Sequence, residues 1–420
     1  MPTLSLSWST TLSPALFIQE KKQISYQSAM GKVKVAILVA MCIISLLFNV
    51  EAIPSPSSSS LETEIEAKLK LLNKPPVKTI KSEDGDIIDC VDIYKQPAFD
   101  HPALKNHTIK MMADDSSTKD GSKSETVIFQ RWQKSGSCPK GTIPIRRILK
   151  EDLLRASSLH RFGQKPPEGT NFNFSNPNAN NEFIPQNRSS AYLVELGYNY
   201  IGAQADINVY NPKVDLPDDF TTAQIWLKND NNPNFESVES GWMRDSYRST
   251  GCFDLTCPGF IQTGQVALGA AIAPVSSRFG PQYEINIGIF LEPNLGNWYV
   301  KVRNNVPVGY FPGEILGSLR HSAIIVEWGG QVSSTNIKQH ETPHTGTQMG
   351  SGGPASGRYG NACYMRNVRI MDYSLIIKYP EHPSTMAEEP YCYSSLNQAD
   401  YGKEPIFYFG GPGRSPPYCP

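Results

Sequence analysis

A mainly β, antiparallel protein is what this sequence predicts, on three observations. The 420 residues include 32 Gly and 33 Pro, enough to punctuate a chain of many short strands with turns. Downstream of residue 190, runs such as "YIGAQADINVYNP", "TTAQIWLKND", "GQVALGAAIAPVS", "YEINIGIFLEP", "NWYVKVRNN", "SAIIVEWGG" and "YMRNVRIMD" recur, several alternating apolar with polar residues. No long helical pattern separates them, so an antiparallel sandwich or barrel is expected rather than a parallel sheet. The formal net charge of −1 provides no basic excess for nucleic acid, and no such partner is expected. The length allows a substantial core and two folded parts.

Taken in order, residues 1–29 are Ser/Thr-rich and show no fold pattern, and are read as an N-terminal extension. Residues 30–52 read as a signal peptide: Lys32 and Lys34, the apolar run Val35 to Val50, then small residues before a cut. That run is shorter than the roughly 20 residues of a spanning helix, so membrane contact is expected only through this segment if it stays uncleaved. Residues 53–162 form a small mixed α/β segment. In it "LETEIEAKLKLLNKPP" reads as an amphipathic helix, with Ser59 and Glu62 as a capping box and Leu61, Ile65, Leu69 and Leu72 on one face. Pro75 and Pro76 stop it, "PIRRILKEDLLRA" reads as a second helix, and "ETVIFQRW" is extended. Residues 163–190, rich in Gly, Pro, Asn and Ser, read as an exposed linker open to processing. The strand-rich body is 191–420.

Secretion would oxidise the cysteines beyond Cys42, which lies in the apolar run. Cys252 and Cys257 are spaced for a small disulfide loop, Cys392 and Cys419 for a tie on the C-terminal tail, and Cys90 and Cys138 for a pair in the first folded segment. Cys363 is left over. Asn106, Asn173 and Asn187 begin N-x-S/T sites compatible with glycosylation.

Two patterns bear on chemistry. "HETPH", His340 to His344, fits the H-E-x-x-H letters of zinc proteases, but Pro343 and the glycines that come after it deny it the helix that would present both histidines to a metal. No metal or other cofactor is therefore expected. No G-x-S-x-G elbow supports a serine hydrolase. What remains are carboxylates beside Trp in strand-like surroundings, suited to taking or giving a proton: Glu239 in "SVESGW" and Glu327 in "IIVEWGGQV", where Gln331 stands four residues on.

The ordered blocks "DCVDIYKQPAFDHPALKNHTIKM", "SGSCPKGTIPIRR", "VESGW", "TGCFDLTCPGFIQT", "GNWYVKV", "VEWGGQV", "HTGTQMGSG" and "FYFGGPGR" resemble the neprosin family, secreted plant glutamic endopeptidases that cut beside proline. The resemblance implies an activation peptide over 53–162 and a catalytic β-sandwich of two antiparallel sheets over 191–420. It also implies two glutamates across a concave sheet face. One corresponds to Glu239; the other falls at Gln331, where this chain has departed from the family. A second departure is the short "MRDSYRSTG" between Trp242 and Cys252, where the family has a longer, strand-forming segment. The family likeness further implies a secreted proenzyme of the apoplast, cell wall or vacuole, acting near proline in a protein or peptide substrate at acid pH. The alternative it leaves open is an inactive peptide- or cell-wall-binding protein.

Overall fold

A computed structural model describes residues 58–111, 130–155, 159, 162, 187–216, 219–229, 236–244, 254–303, 305–337 and 343–420. The signal segment, Cys42, Asn173, Cys252, His340, Glu341 and most of the 163–190 linker lie outside the described residues. The chain divides into two compact units, Met1–Leu61 and Glu62–Pro420. Only the first turn of a helix is described in the former; the sheets belong to the latter. No helix among the described residues is long and apolar enough to cross a membrane.

The first helix, α1, spans Ser58–Leu72 and begins one residue before Ser59. Ser59 therefore lies inside the first turn, and Glu62 pairs with Lys150 at 2.6 Å. Ile65 is buried against Leu153 and Phe162, with Leu69 and Leu72 packed on the same cluster. Strands β1 (Lys78–Lys81), β2 (Ile87–Asp92) and β3 (Thr142–Arg146) make a small antiparallel sheet in the order β1-β2-β3. The second predicted helix begins too early: "TIPIR" is strand, and α2 is confined to Lys150–Arg155. The reason is that Ile143 and Ile145 alternate onto one face, while Arg146 and Arg147 pair with Asp86 and Asp89. Asp152 accepts from the Leu149 N–H and so opens the helix only there. Cys90 and Cys138 are joined, as the sequence suggests.

The body is one antiparallel network of thirteen strands among the described residues, curled so that it packs on itself. Its strands are β4 (Arg188–Asn208), β5 (Phe220–Lys228), β6 (Ser237–Arg244), β7 (Ile261–Gln262), β8 (Glu284–Glu292), β9 (Asn297–Val302), β10 (Val306–Phe311), β11 (Ala323–Ser333), β12 (Cys363–Asp372), β13 (Ile377–Lys378), β14 (Ser384–Ala387), β15 (Ser394–Gln398) and β16 (Ile406–Gly410). The 21-residue β4 belongs to both halves. Its first half pairs with β14 and with β11, and β11 continues to β5 and β6. Its second half pairs with β12 and β8, which lead to β16 and β15 on one side and to β9, β10 and β7 on the other. Ile225, Leu227, Val238, Val326 and Trp328 from the first half meet Ile287, Ile289, Val300, Ile370 and Phe407 from the second in one core. This is the predicted mainly β sandwich.

One predicted strand is absent. "GQVALGAAIAPVS" forms no ladder, only isolated bridges from Leu268 to Ile145 and from Ile272 to Gln130. Its small residues and Pro274 offer little side-chain surface for a ladder, and its backbone serves the N-terminal segment instead. Gln130 clamps it: the amide donates to the Ala267 carbonyl at 2.7 Å and the amide oxygen accepts from the Ala267 N–H at 2.9 Å. Gln96 does much the same to Gln262.

Candidate active site

Strand β5 organises the polar face. Its residues alternate, so Ala223, Ile225 and Leu227 enter the core while Thr222, Gln224, Trp226 and Lys228 lie on the opposite face. Residues paired directly across an antiparallel ladder share a face. On β6, Glu239 is opposite Trp226 and Gly241 opposite Gln224. On β11, Glu327 is opposite Trp226, Gly329 opposite Gln224 and Gln331 opposite Thr222. On β4, Ser190 is opposite Gln331. Glu239, Gln331, Glu327, Gln224 and Lys228 therefore share one surface. Gly241 and Gly329 flank Gln224, and both are obliged to be glycine: an added Cβ would lie 2.1 Å from the Ala223 carbonyl oxygen and 2.2 Å from that of Ala191, respectively.

Glu239 is half-buried and accepts from two neutral donors. Gln224 Nε2 donates to its Oε2 at 2.8 Å, and Ser237 Oγ donates to its Oε1 at 2.6 Å. It borders a cavity of about 420 Å³ whose other walls are largely apolar, among them Ile287, Val300, Phe260 and Phe311, and to which Gln130 contributes from the N-terminal segment. Gln331 is 4% exposed, and its Nε2 donates to Ser190 Oγ at 3.3 Å. The two are not directly opposite: Glu239 registers with Trp226 and Gln331 with Thr222, four residues apart along β5. On a flat sheet that offset is roughly 13 Å. Gln224 lies midway, diagonal to both, and bonds Glu239.

Glu327 stands level with Glu239 but is already paired, with Lys228 Nζ at 2.9 Å and both side chains buried. Its role here is structural. Trp226 Nε1 and Thr222 Oγ1 are buried on the same face without a hydrogen-bond partner. Gln224, Lys228 and Ser190 were not singled out by sequence, although the alternation of "TTAQIWLK" carries the first two.

Elsewhere, Cys392 and Cys419 are joined, Cys257 is disulfide-bonded, and Cys363 is free and buried. His344, from the zinc-like motif, bonds Glu389 through Nε2 at 3.3 Å. It also approaches Cys392 and Cys419, whose sulfurs are taken up by their disulfide and are no metal ligands. Asn106 is exposed, and Asn187 sits in a turn at the start of β4.

Comparison with known families matches residues 79–189 to the neprosin activation peptide and residues 242–412 to neprosin. Gln331 lies inside the second match; Glu239 lies three residues before it. Among solved structures, the chain is similar to Scytalido-glutamic peptidase bound to a peptide-based transition-state analogue, at 8% identity and a TM-score of 0.29. That similarity covers 54% of this chain and 98% of the other. With an activation-peptide match and a neprosin match succeeding one another along the chain, this protein belongs to the neprosin family.

Proposed function

We propose that this chain is the proenzyme of a secreted glutamic endopeptidase that hydrolyses peptide bonds near proline at acid pH. The observation that carries the reading is Glu239: a carboxylate on a polar sheet face beside a cavity, positioned by the Gln224 amide and the Ser237 hydroxyl. In that setting Glu239 takes a proton from water as the water oxygen attacks the scissile carbonyl carbon. The oxyanion receives hydrogen bonds from the carboxamides of the face, Gln331 in the family position with Gln224 between it and the base. When the C–N bond breaks, Glu239 returns its proton to the leaving amine. The acid pH in this reading comes from the resemblance to the family, since the Gln224 and Ser237 donors on Glu239 do not titrate. The disulfides fit an oxidising, extracellular or vacuolar compartment.

The test is hydrolysis of a proline-containing peptide at acid pH by the activated protein and by Gln331→Glu. The parent is expected to cleave, and Gln331→Glu to cleave faster, because a carboxyl at the family position can hold and return a proton that an amide cannot. If both bind the peptide and neither cleaves it, the protein is the binding module of the second reading. That reading draws on β6, which pairs with β5 among the described residues and borders the cavity.

A further inference from the structure

We propose that Glu388 is a positioning residue of this face: it holds Ser190 by both main-chain groups, and Ser190 in turn orients the carboxamide of Gln331. The inference rests on the reading of Gln331 as part of the site.

Glu388 comes directly after β14, which lies against the first half of β4. Its own N–H donates to the Ser190 carbonyl at 3.0 Å, and its Oε2 accepts from the Ser190 N–H at 2.7 Å. One residue thus does for Ser190 what a continuing strand would have done, with a carboxyl oxygen in place of a carbonyl. Ser190 is the ladder partner of Gln331, and its Oγ accepts from Gln331 Nε2. Any movement of Ser190 therefore moves the acceptor that sets the amide. Glu388 is itself held from behind: Glu389 bonds His344, its carbonyl accepts from the Cys392 and Tyr393 N–H groups, and Cys392 is tied to Cys419.

The charged surroundings are Arg188 on β4, Lys228 on β5 and Glu327 on β11. Lys228 is engaged by Glu327, which leaves little of its field for a second carboxylate. Burial outweighs Arg188 and the Ser190 hydrogen bond and raises the Glu388 pKa to about 7. Below that pH the carboxyl is neutral. Its pKa in the folded chain lies above the ordinary 4.5, so the stability it contributes is fully present below about pH 4.5 and is lost as pH rises through about 7. The arrangement that holds Ser190, and through it Gln331, is thus suited to acid conditions.

The experiment tracks the Gln331 side-chain amide by NMR in the full chain labelled with ¹⁵N-glutamine, its resonance identified by its loss in Gln331→Glu. In the parent it is expected to shift with pH with a midpoint near 7. In Glu388→Gln, which mimics the neutral carboxyl, it should stay at the parent's acid position throughout, and the fall in melting temperature between pH 4.5 and 7 should flatten. Glu388→Ala should displace the resonance at every pH. If the parent amide does not titrate near pH 7, or titrates identically in Glu388→Gln, the proposal is overturned. In the activated enzyme, kcat for Glu388→Gln at pH 8 should exceed the parent's by roughly tenfold, one unit above the pKa, with KM unchanged. An equal alkaline limb in the two proteins also overturns it. The amide titration needs no turnover, so an inactive parent would count against the peptidase reading alone.

Discussion

Glu239→Gln is expected to lower kcat/KM toward a proline-containing peptide by roughly 10²- to 10⁴-fold, the usual contribution of a positioned general base. The change is isosteric, and the Gln224 and Ser237 donors are neutral, so a glutamine oxygen can still accept from one of them. The fold and peptide binding should therefore persist, with the loss appearing in kcat and not in KM. Steady-state kinetics and a melting curve on the two activated proteins would check this. Unchanged hydrolysis by the variant would remove Glu239 from the mechanism, whatever the role of Gln331.

Lys228→Ala should have the largest effect on stability. Lys228 and Glu327 are 7% and 6% exposed and bonded at 2.9 Å, with Lys228 Nζ also 5.9 Å from the Trp226 ring centre. Removing the cation strands a buried carboxylate, which typically costs about 3–5 kcal/mol. Replacing both partners, as Lys228→Met with Glu327→Leu, should be close to neutral, because neither desolvated charge then remains. Denaturant unfolding of the single and double variants measures the difference. A single variant as stable as the parent would mean that water reaches Glu327, and that the face is far wetter than its burial shows.

The strands were readable where side-chain alternation and burial point the same way, as in β8. Two misreadings have physical causes. "PIRRILKEDLLRA" has helical composition, but its first three residues, Pro144 to Arg146, are claimed by a three-stranded sheet and Asp152 delays the helix. "GQVALGAAIAPVS" is an apolar run between turn residues, like a buried strand, yet its backbone is taken by the Gln130 clamp. Of the proposed site, Glu239 was visible as a carboxylate near Trp, whereas Gln331 came only through the resemblance to the neprosin family, and Glu327, which shared the pattern, is tied to Lys228. The four-residue offset between Glu239 and Gln331 was not visible, because register depends on how β5 pairs with two strands distant in sequence. Glu388 gave no signal at all: it lies 198 residues from the serine it holds, at the end of a four-residue strand.

The length of β4 limits how the precursor can be trimmed. Arg188 opens the strand within two residues of Ser190, and the activation-peptide match runs to residue 189. A cut far upstream leaves a harmless tail, but one beyond Ser189 would convert the Ser190 amide into a charged terminus facing Glu388. Loss of Ser190 itself would deprive Gln331 of its acceptor. Ser190, not the new end itself, belongs to the proposed face, so a cut that preserves that face falls before Ser190. Terminal sequencing of the secreted product should find its first residue at or before Ser189.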